Sequence, residues 1–191
     1  HCSGTHTECA NHILINTPTV NKLQDIHFIP SQLITVKPTA LKKEEYHCNL
    51  TKQDKVISKI QLSNAIGKIN SSFIRGLIIR TLPNDNSKSN RDYNLNPHPF
   101  LSNDAVIFLK DIGVEHILVD TPSIDRYNDN GKLGNHHIFF KDKNRTANSN
   151  TITELVYIPN KYKDGKYFLN LGISNFVLDA APSRPILFSA D

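Results

Sequence analysis

His1-Cys2-Ser3-Gly4-Thr5-His6-Thr7-Glu8-Cys9-Ala10-Asn11-His12 opens the chain and gathers three histidines, two cysteines and a glutamate into twelve residues. Imidazole, carboxylate and thiolate together suit Zn²⁺ or a neighbouring first-row ion, and a carboxylate between two imidazoles can bridge two ions. In an extended backbone Cys2, His6, Glu8 and His12 have the same parity and turn to one face. A helix would instead pair Cys2 with His6 and Glu8 with His12, but Gly4, Thr5 and Asn11 are poor helix formers. The run therefore reads as strand or ordered loop. The competing reading is a set of solvated histidines near a chain end.

The 191 residues are 38% hydrophobic and 21% charged, which fits one soluble domain with a substantial core. The net charge of +4 comes from scattered Lys and Arg, so a nucleic-acid partner is not implied. No run approaches the ~18 apolar residues of a membrane helix, and no signal segment stands at the start, so a membrane partner is not expected. Three cysteines, Cys2, Cys9 and Cys48, form no CxxC pair. That argues against a disulfide framework or a zinc ribbon and favours a reducing compartment, hence a cytoplasmic location, with a removed export signal left open. The chain has no Met and begins inside a motif, so it reads as processed or truncated.

Beyond the opening run, Ile13-Leu14-Ile15 reads as a continuing strand that ends at Asn16-Thr17-Pro18, and Leu33-Ile34-Thr35-Val36 as a second short strand. Residues 41–55 read as an exposed loop, with His47 and Cys48 a chance surface pair. Ser63 is placed to cap a short helix running to Ile69. The apolar run Gly76-Leu77-Ile78-Ile79-Arg80-Thr81, stopped by Leu82-Pro83-Asn84, predicts a buried central strand, followed by an Asn-rich loop over 84–96. Ser102 caps a predicted helix over 103–112 with Gly113 as its stop, and 114–119 is the next strand. Asp120 and Asp125 follow it, and carboxylates just beyond a strand can be catalytic or structural. The pattern at 151–160 predicts a strand in which Ile152, Glu154, Val156 and Ile158 lie on one face. Asp164-Gly165 turns into an alternating strand hairpinned to it, and the tail from 179 to 188 reads as irregular. These elements predict an α/β domain with a mixed, partly antiparallel sheet.

The opening run resembles the signature H-x-G-T-H-x-D-x-P-x-H of the putative cyclase family of metal-dependent hydrolases, which includes bacterial kynurenine formamidase and isatin hydrolase. Gly4-Thr5-His6 and His12 match it, Glu8 stands on the Asp, Cys2 on the first His and Ala10 on the Pro. Either Cys2 or a displaced His1 could supply the first ligand. The segment Gly131-Lys132-Leu133-Gly134-Asn135-His136-His137-Ile138-Phe139-Phe140 is similar to the family's H-x-x-L-L, which puts His136 on the His; if it is extended, His136 and His137 face opposite ways and only one points inward. The 151–160 strand is similar to its E-N-L strand, which puts Glu154 on the Glu. The resemblance implies the swivelling β/α/β fold in one domain over 1–191, preceded in the family by a few more strands. It further implies a homo-oligomer and a centre of one or two Zn²⁺ or Mn²⁺ ions held by Cys2, His6, Glu8, His12, His136 and Glu154, with His136 and Glu154 catalytic. The implied reaction is hydrolysis of a small amide, formamide or lactone, like that of kynurenine formamidase in tryptophan catabolism. The alternative is a non-catalytic member whose degenerate metal site leaves a binding or structural subunit.

Overall fold

The computed structural model describes residues 3–24, 26–40, 44–68, 70–141 and 149–190. In chain order its elements are β1 (His6–Cys9), β2 (Ile29–Val36), β3 (Val56–Ile57), α1 (Lys59–Ile66), β4 (Gly76–Thr81), β5 (Phe100–Leu101), α2 (Asn103–Asp111), β6 (His116–Val119), α3 (Gly134–Phe140), β7 (Thr151–Glu154), β8 (Gly165–Asn170), β9 (Ala180–Pro182) and β10 (Ile186–Ser189). Eight strands form one sheet in the order β10-β8-β2-β4-β6-β7-β1-β9, while β3 and β5 pair separately. The middle four strands run parallel, and antiparallel pairings extend the sheet on both sides.

Parallel strands covered on both faces need apolar side chains of both parities. Accordingly Leu77 and Ile79 of β4 enter the larger core with Leu62, Leu109, Phe139 and Phe140 of the three helices, while Ile78 enters a second core on the other face with Leu33, Leu118 and Leu169. The predicted central strand is thus central, and all six of its residues are buried. The 103–112 helix is also present: Ser102 accepts from the Ala105 amide, and Gly113 at φ 92° supplies the left-handed turn that ends it. Among the described residues no helix is long and apolar enough to cross a membrane.

Several local expectations are corrected. Residues 13–15 are not a strand. Asn11 Nδ2 donates to the Thr17 carbonyl, Thr17 Oγ1 donates to the Leu14 carbonyl, and Asn16 is left-handed, so side-chain bonds to the backbone close a turn that leaves Ile15 87% exposed. Helix α1 starts five residues earlier than expected because Ser58 and Gln61 form a capping box, and Gly67 ends it; Ile69 lies outside the described residues.

The expected strand over 151–160 stops at Glu154. Leu155 adopts φ 55°, which flips the alternation and sends Val156 and Ile158 to the second core instead of beside Ile152. Strand β8 pairs with β2 and β10 rather than returning along β7. The tail contains two strands, β9 on β1 and β10 on β8, whose partners are too distant in sequence for any local pattern to announce.

His116 at the head of β6 is fully buried, with Nδ1 2.9 Å from Thr151 Oγ1 and no partner for Nε2 among the described residues. Burial, assisted by the nearby Arg75 charge, lowers its pKa to about 3. Because that lies below the unfolded value, the unfolded chain takes up a proton first as pH falls. The stability is complete above pH ~6.5 and is lost progressively toward pH ~3, by roughly 2–3 kcal/mol at pH 4.5. Urea midpoints of wild type and His116→Gln should therefore converge between pH 7.5 and 4.5. A constant difference across that range would show that His116 is not the group responsible.

Candidate metal centre

Strand β1 brings His6 and Glu8, two residues apart, to one face, and its antiparallel register sets Glu154 of β7 directly opposite His6. His6 Nε2 lies 3.2 Å from Glu8 Oε1 and 3.5 Å from Glu154 Oε2. The face they share is the helix side of the sheet, where α3 delivers His136. Its Nε2 is 3.0 Å from Glu8 Oε2 and 3.6 Å from Glu154 Oε1. Two imidazoles and two carboxylates therefore alternate around one point, with all four side chains 0–4% exposed. Ligand atoms of His6, Glu8 and Glu154 all fall within 4.8 Å of one another.

The segment read as extended around His136-His137 is helical, and Asp125 explains why. Its Oδ1 accepts from the Asn135 amide at 2.9 Å and its Oδ2 from the His136 amide at 3.2 Å, so it caps the first turn of α3 from ten residues upstream. Asp129 accepts from the Lys132 and Leu133 amides just before it. Gly134 lets this turn pass under the His47 ring, since a Cβ there would come within 2.2 Å of Nδ1. On the helix, His137 turns roughly 100° away from His136. It joins none of the contacts given for the cluster, and its Nδ1 has no partner among the described residues.

Both inner imidazoles are oriented from outside. His6 Nδ1 donates to the Gly4 carbonyl at 2.9 Å, and His136 Nδ1 lies 2.7 Å from Asp125 Oδ2, which leaves each Nε2 facing the carboxylates. Glu154 Oε1 in turn accepts from the Ile124 amide. Burial opposes charge on His6, but hydrogen bonds to Glu154 and Glu8 outweigh it and raise its pKa to about 10; His136 is raised as well, against its own burial, by Asp125 and Glu8. Burial likewise opposes ionisation of Glu8, yet its two histidine partners pull the carboxyl well below the usual range. Burial and the Glu8 charge push Glu154 upward. In the metal-free chain imidazolium protons compensate the buried carboxylates. A divalent cation is the other species that can do so, and the two-nitrogen, two-carboxylate donor set fits one.

His12 reaches the rim differently from the expected strand, through a 3₁₀ turn over Ala10–His12. Its Nε2 is 3.7 Å from Glu8 Oε1, its Nδ1 is 2.7 Å from Asp179 Oδ2, and its side chain is 21% exposed. Cys2 and His1 lie outside the described residues. Asp120 is held elsewhere, accepting from the Thr81 amide at 2.7 Å and from Lys88 Nζ at 2.8 Å, which is a structural role. Asp125 and Asp179 are the site residues that sequence reasoning undervalued or missed. Asp125 was marked by its position just beyond a strand, and nothing marked Asp179. His47, read as half of a surface pair with Cys48, instead groups with Asp125 and Asp129.

Residues 1–126 match the family model described as putative cyclase. The chain belongs to the putative cyclase family. Its fold is accordingly that family's swivelling β/α/β architecture, and solved structures agree. A potential metal-dependent hydrolase with cyclase activity matches at TM-score 0.65 and 21% identity, over 98% of this chain and 77% of that one. An isatin hydrolase bound to the product analogue thioisatinate matches at TM-score 0.65 and 12% identity, over 97% and 71%. Isatin hydrolase A from Labrenzia aggregata matches at TM-score 0.65 and 11% identity, over 96% and 72%. No curated protein matches the chain. Where the cyclase signature has Asp, the extra methylene of Glu8 here lets one carboxylate meet His6 with Oε1 and His136 with Oε2.

Proposed function

We propose that this cyclase-family chain is a metal-dependent hydrolase that cleaves the carbon–nitrogen bond of a small amide or formamide, as an arylformamidase does, or else the ester bond of a lactone. The observation that carries the reading is the convergence of His6, Glu8, Glu154 and His136 on one buried point, a donor set that suits Zn²⁺ or Mn²⁺. Descriptions of the structural neighbours as metal-dependent and isatin hydrolases support it. A cavity of about 550 Å³ is bordered by Gly4, Thr5 and Leu155 and walled by Tyr93, Tyr127 and Tyr157, and its lining includes none of the four cluster residues.

A divalent ion supplies Lewis acidity to the scissile carbonyl and lowers the pKa of an attacking water to about 7. The rest falls to the chain. Glu8 and Glu154 supply the negative charge that retains a cation. Asp125 and the Gly4 carbonyl keep His136 and His6 in the tautomer whose Nε2 faces inward. Whichever of Glu154 and His136 is left partly free of the metal would move the proton from water to the leaving nitrogen, and Glu154, its carboxyl pushed upward by burial, is suited to it. His12, its Nδ1 beside Asp179, presents its Nε2 at the rim.

The test is metal content by plasma emission together with turnover of formamides, lactones and cyclic imides, with and without chelator. Chelator-sensitive hydrolysis of at least one class is expected. Glu154→Ala should remove it, by about 10²-fold or more as expected for a lost acid–base group, with the circular-dichroism melt still cooperative. Protein that carries no metal and turns over nothing would favour the non-catalytic alternative.

A further inference from the structure

A second cavity, of about 520 Å³, shares Lys88, Arg91 and Tyr93 with the one bordered by Gly4, Thr5 and Leu155 but is bounded elsewhere by Lys55, His98 and the 95–99 segment. Its lining includes three cationic side chains and no Asp or Glu. The charge of Lys88 is met by Asp120 behind it at 2.8 Å. Lys55 and Arg91 have no ion pair among the described residues; the hydrogen bond given for Arg91 is a 3.4 Å contact to Ser87 Oγ. His98 is 5% exposed, and its Nδ1 donates to the Pro99 carbonyl, which leaves Nε2 for a ligand. Burial holds this imidazole below its ordinary pKa, so it is a neutral wall rather than another cation. Leu82, Pro83, Leu95 and Pro97 give the remaining wall an apolar surface.

A concave lining of one charge sign concentrates counter-ions, and an unpaired guanidinium offers a planar fork that matches a carboxylate. The adjoining prolines and leucines would cover an apolar body but would do nothing for a bare inorganic anion. We propose that this cavity binds a small organic carboxylate, with its charge on Arg91 and Lys55 and its apolar part against Leu82, Pro83 and Leu95, at a site separate from the metal centre. The assignment does not depend on the hydrolase reading, because Lys55, Leu82, Pro83 and Leu95 line this cavity and no metal ligand does.

Titration calorimetry on the full chain with phenylacetate, 2-phenylethanol and inorganic phosphate tests it. Phenylacetate should bind and the neutral alcohol should bind at least tenfold more weakly. The double variant Arg91→Gln/Lys55→Gln should weaken phenylacetate by roughly 10-fold or more, the worth of a charge-assisted hydrogen bond. Glu8→Gln should leave that binding unchanged. The single variants serve if the pair does not fold, as judged by the thermal melt. Binding retained in the Arg91 and Lys55 variants, or lost in Glu8→Gln, would place the anion on the metal centre and overturn the proposal. Phosphate binding as tight as phenylacetate, or no phenylacetate binding at millimolar concentration, would overturn it equally.

Discussion

Glu8→Gln is expected to strip the centre of its metal and to remove hydrolysis with it. Glu8 lies closer than Glu154 to both inner imidazoles, 3.2 Å from His6 Nε2 and 3.0 Å from His136 Nε2 against 3.5 and 3.6 Å. Glutamine keeps the shape but withdraws one of two buried negative charges and replaces a carboxylate oxygen with an amide nitrogen that cannot ligate. Loss of an outer partner of a metal ligand costs about 10–100-fold in affinity, and loss of the ligand itself should exceed that. Plasma emission after dialysis against a limiting chelator should show near-zero occupancy where wild type remains loaded. The same substitution removes one of the groups that raise His6 and His136 protonation while Glu154 and Asp125 remain, so the metal-free variant should still melt cooperatively. Full occupancy in Glu8→Gln would remove Glu8 from the ligand set.

The sequence made this half of the centre readable because its residues are local: a Gly-Thr-His run and two alternate positions on one strand suffice to bring His6 and Glu8 together. The central strand of the sheet was legible for a similar reason, since six consecutive buried residues leave a continuous apolar run. What it could not convey was how His136 enters. Its segment carries no capping residue of its own next to Gly134, so an extended reading was natural. The cap is Asp125, supplied from the loop after β6. The same limit hid β9 and β10, whose alternation is short and broken by Pro182 and Pro185, and whose partners β1 and β8 are set only by the assembled sheet. Leu155 is a third case. A left-handed leucine is uncommon, and no residue pattern predicts the flip that lets Glu154 face the centre while Val156 faces the other core.

Asp125→Asn should be the most damaging substitution outside the inner cluster, because every neighbour that Asp125 contacts offers it a proton. The Asn135 and His136 amides donate at 2.9 and 3.2 Å, Tyr46 OH donates at 3.2 Å, and His136 Nδ1 lies at 2.7 Å. An asparagine has one oxygen and one NH₂, so whichever way it turns, at least one buried donor faces another donor. If the oxygen takes the place of Oδ2 it keeps the His136 amide and Nδ1 but turns NH₂ toward the Asn135 amide and Tyr46 OH; if it takes the place of Oδ1, His136 Nδ1 is unpartnered and its ring is free to rotate or change tautomer. A buried donor left unsatisfied costs about 1–3 kcal/mol, and a disturbed outer partner of a ligating histidine about 10–100-fold in metal affinity or turnover. Both effects should appear together: a lower melting temperature, and metal released at lower chelator concentration than from wild type. Asp120→Asn provides the contrast. It breaks the buried pair with Lys88 and should lower the melting temperature, but at matched stability it should leave chelator sensitivity unchanged. If Asp125→Asn merely destabilises, with metal retention equal to that of Asp120→Asn, then Asp125 is a helix cap and nothing more.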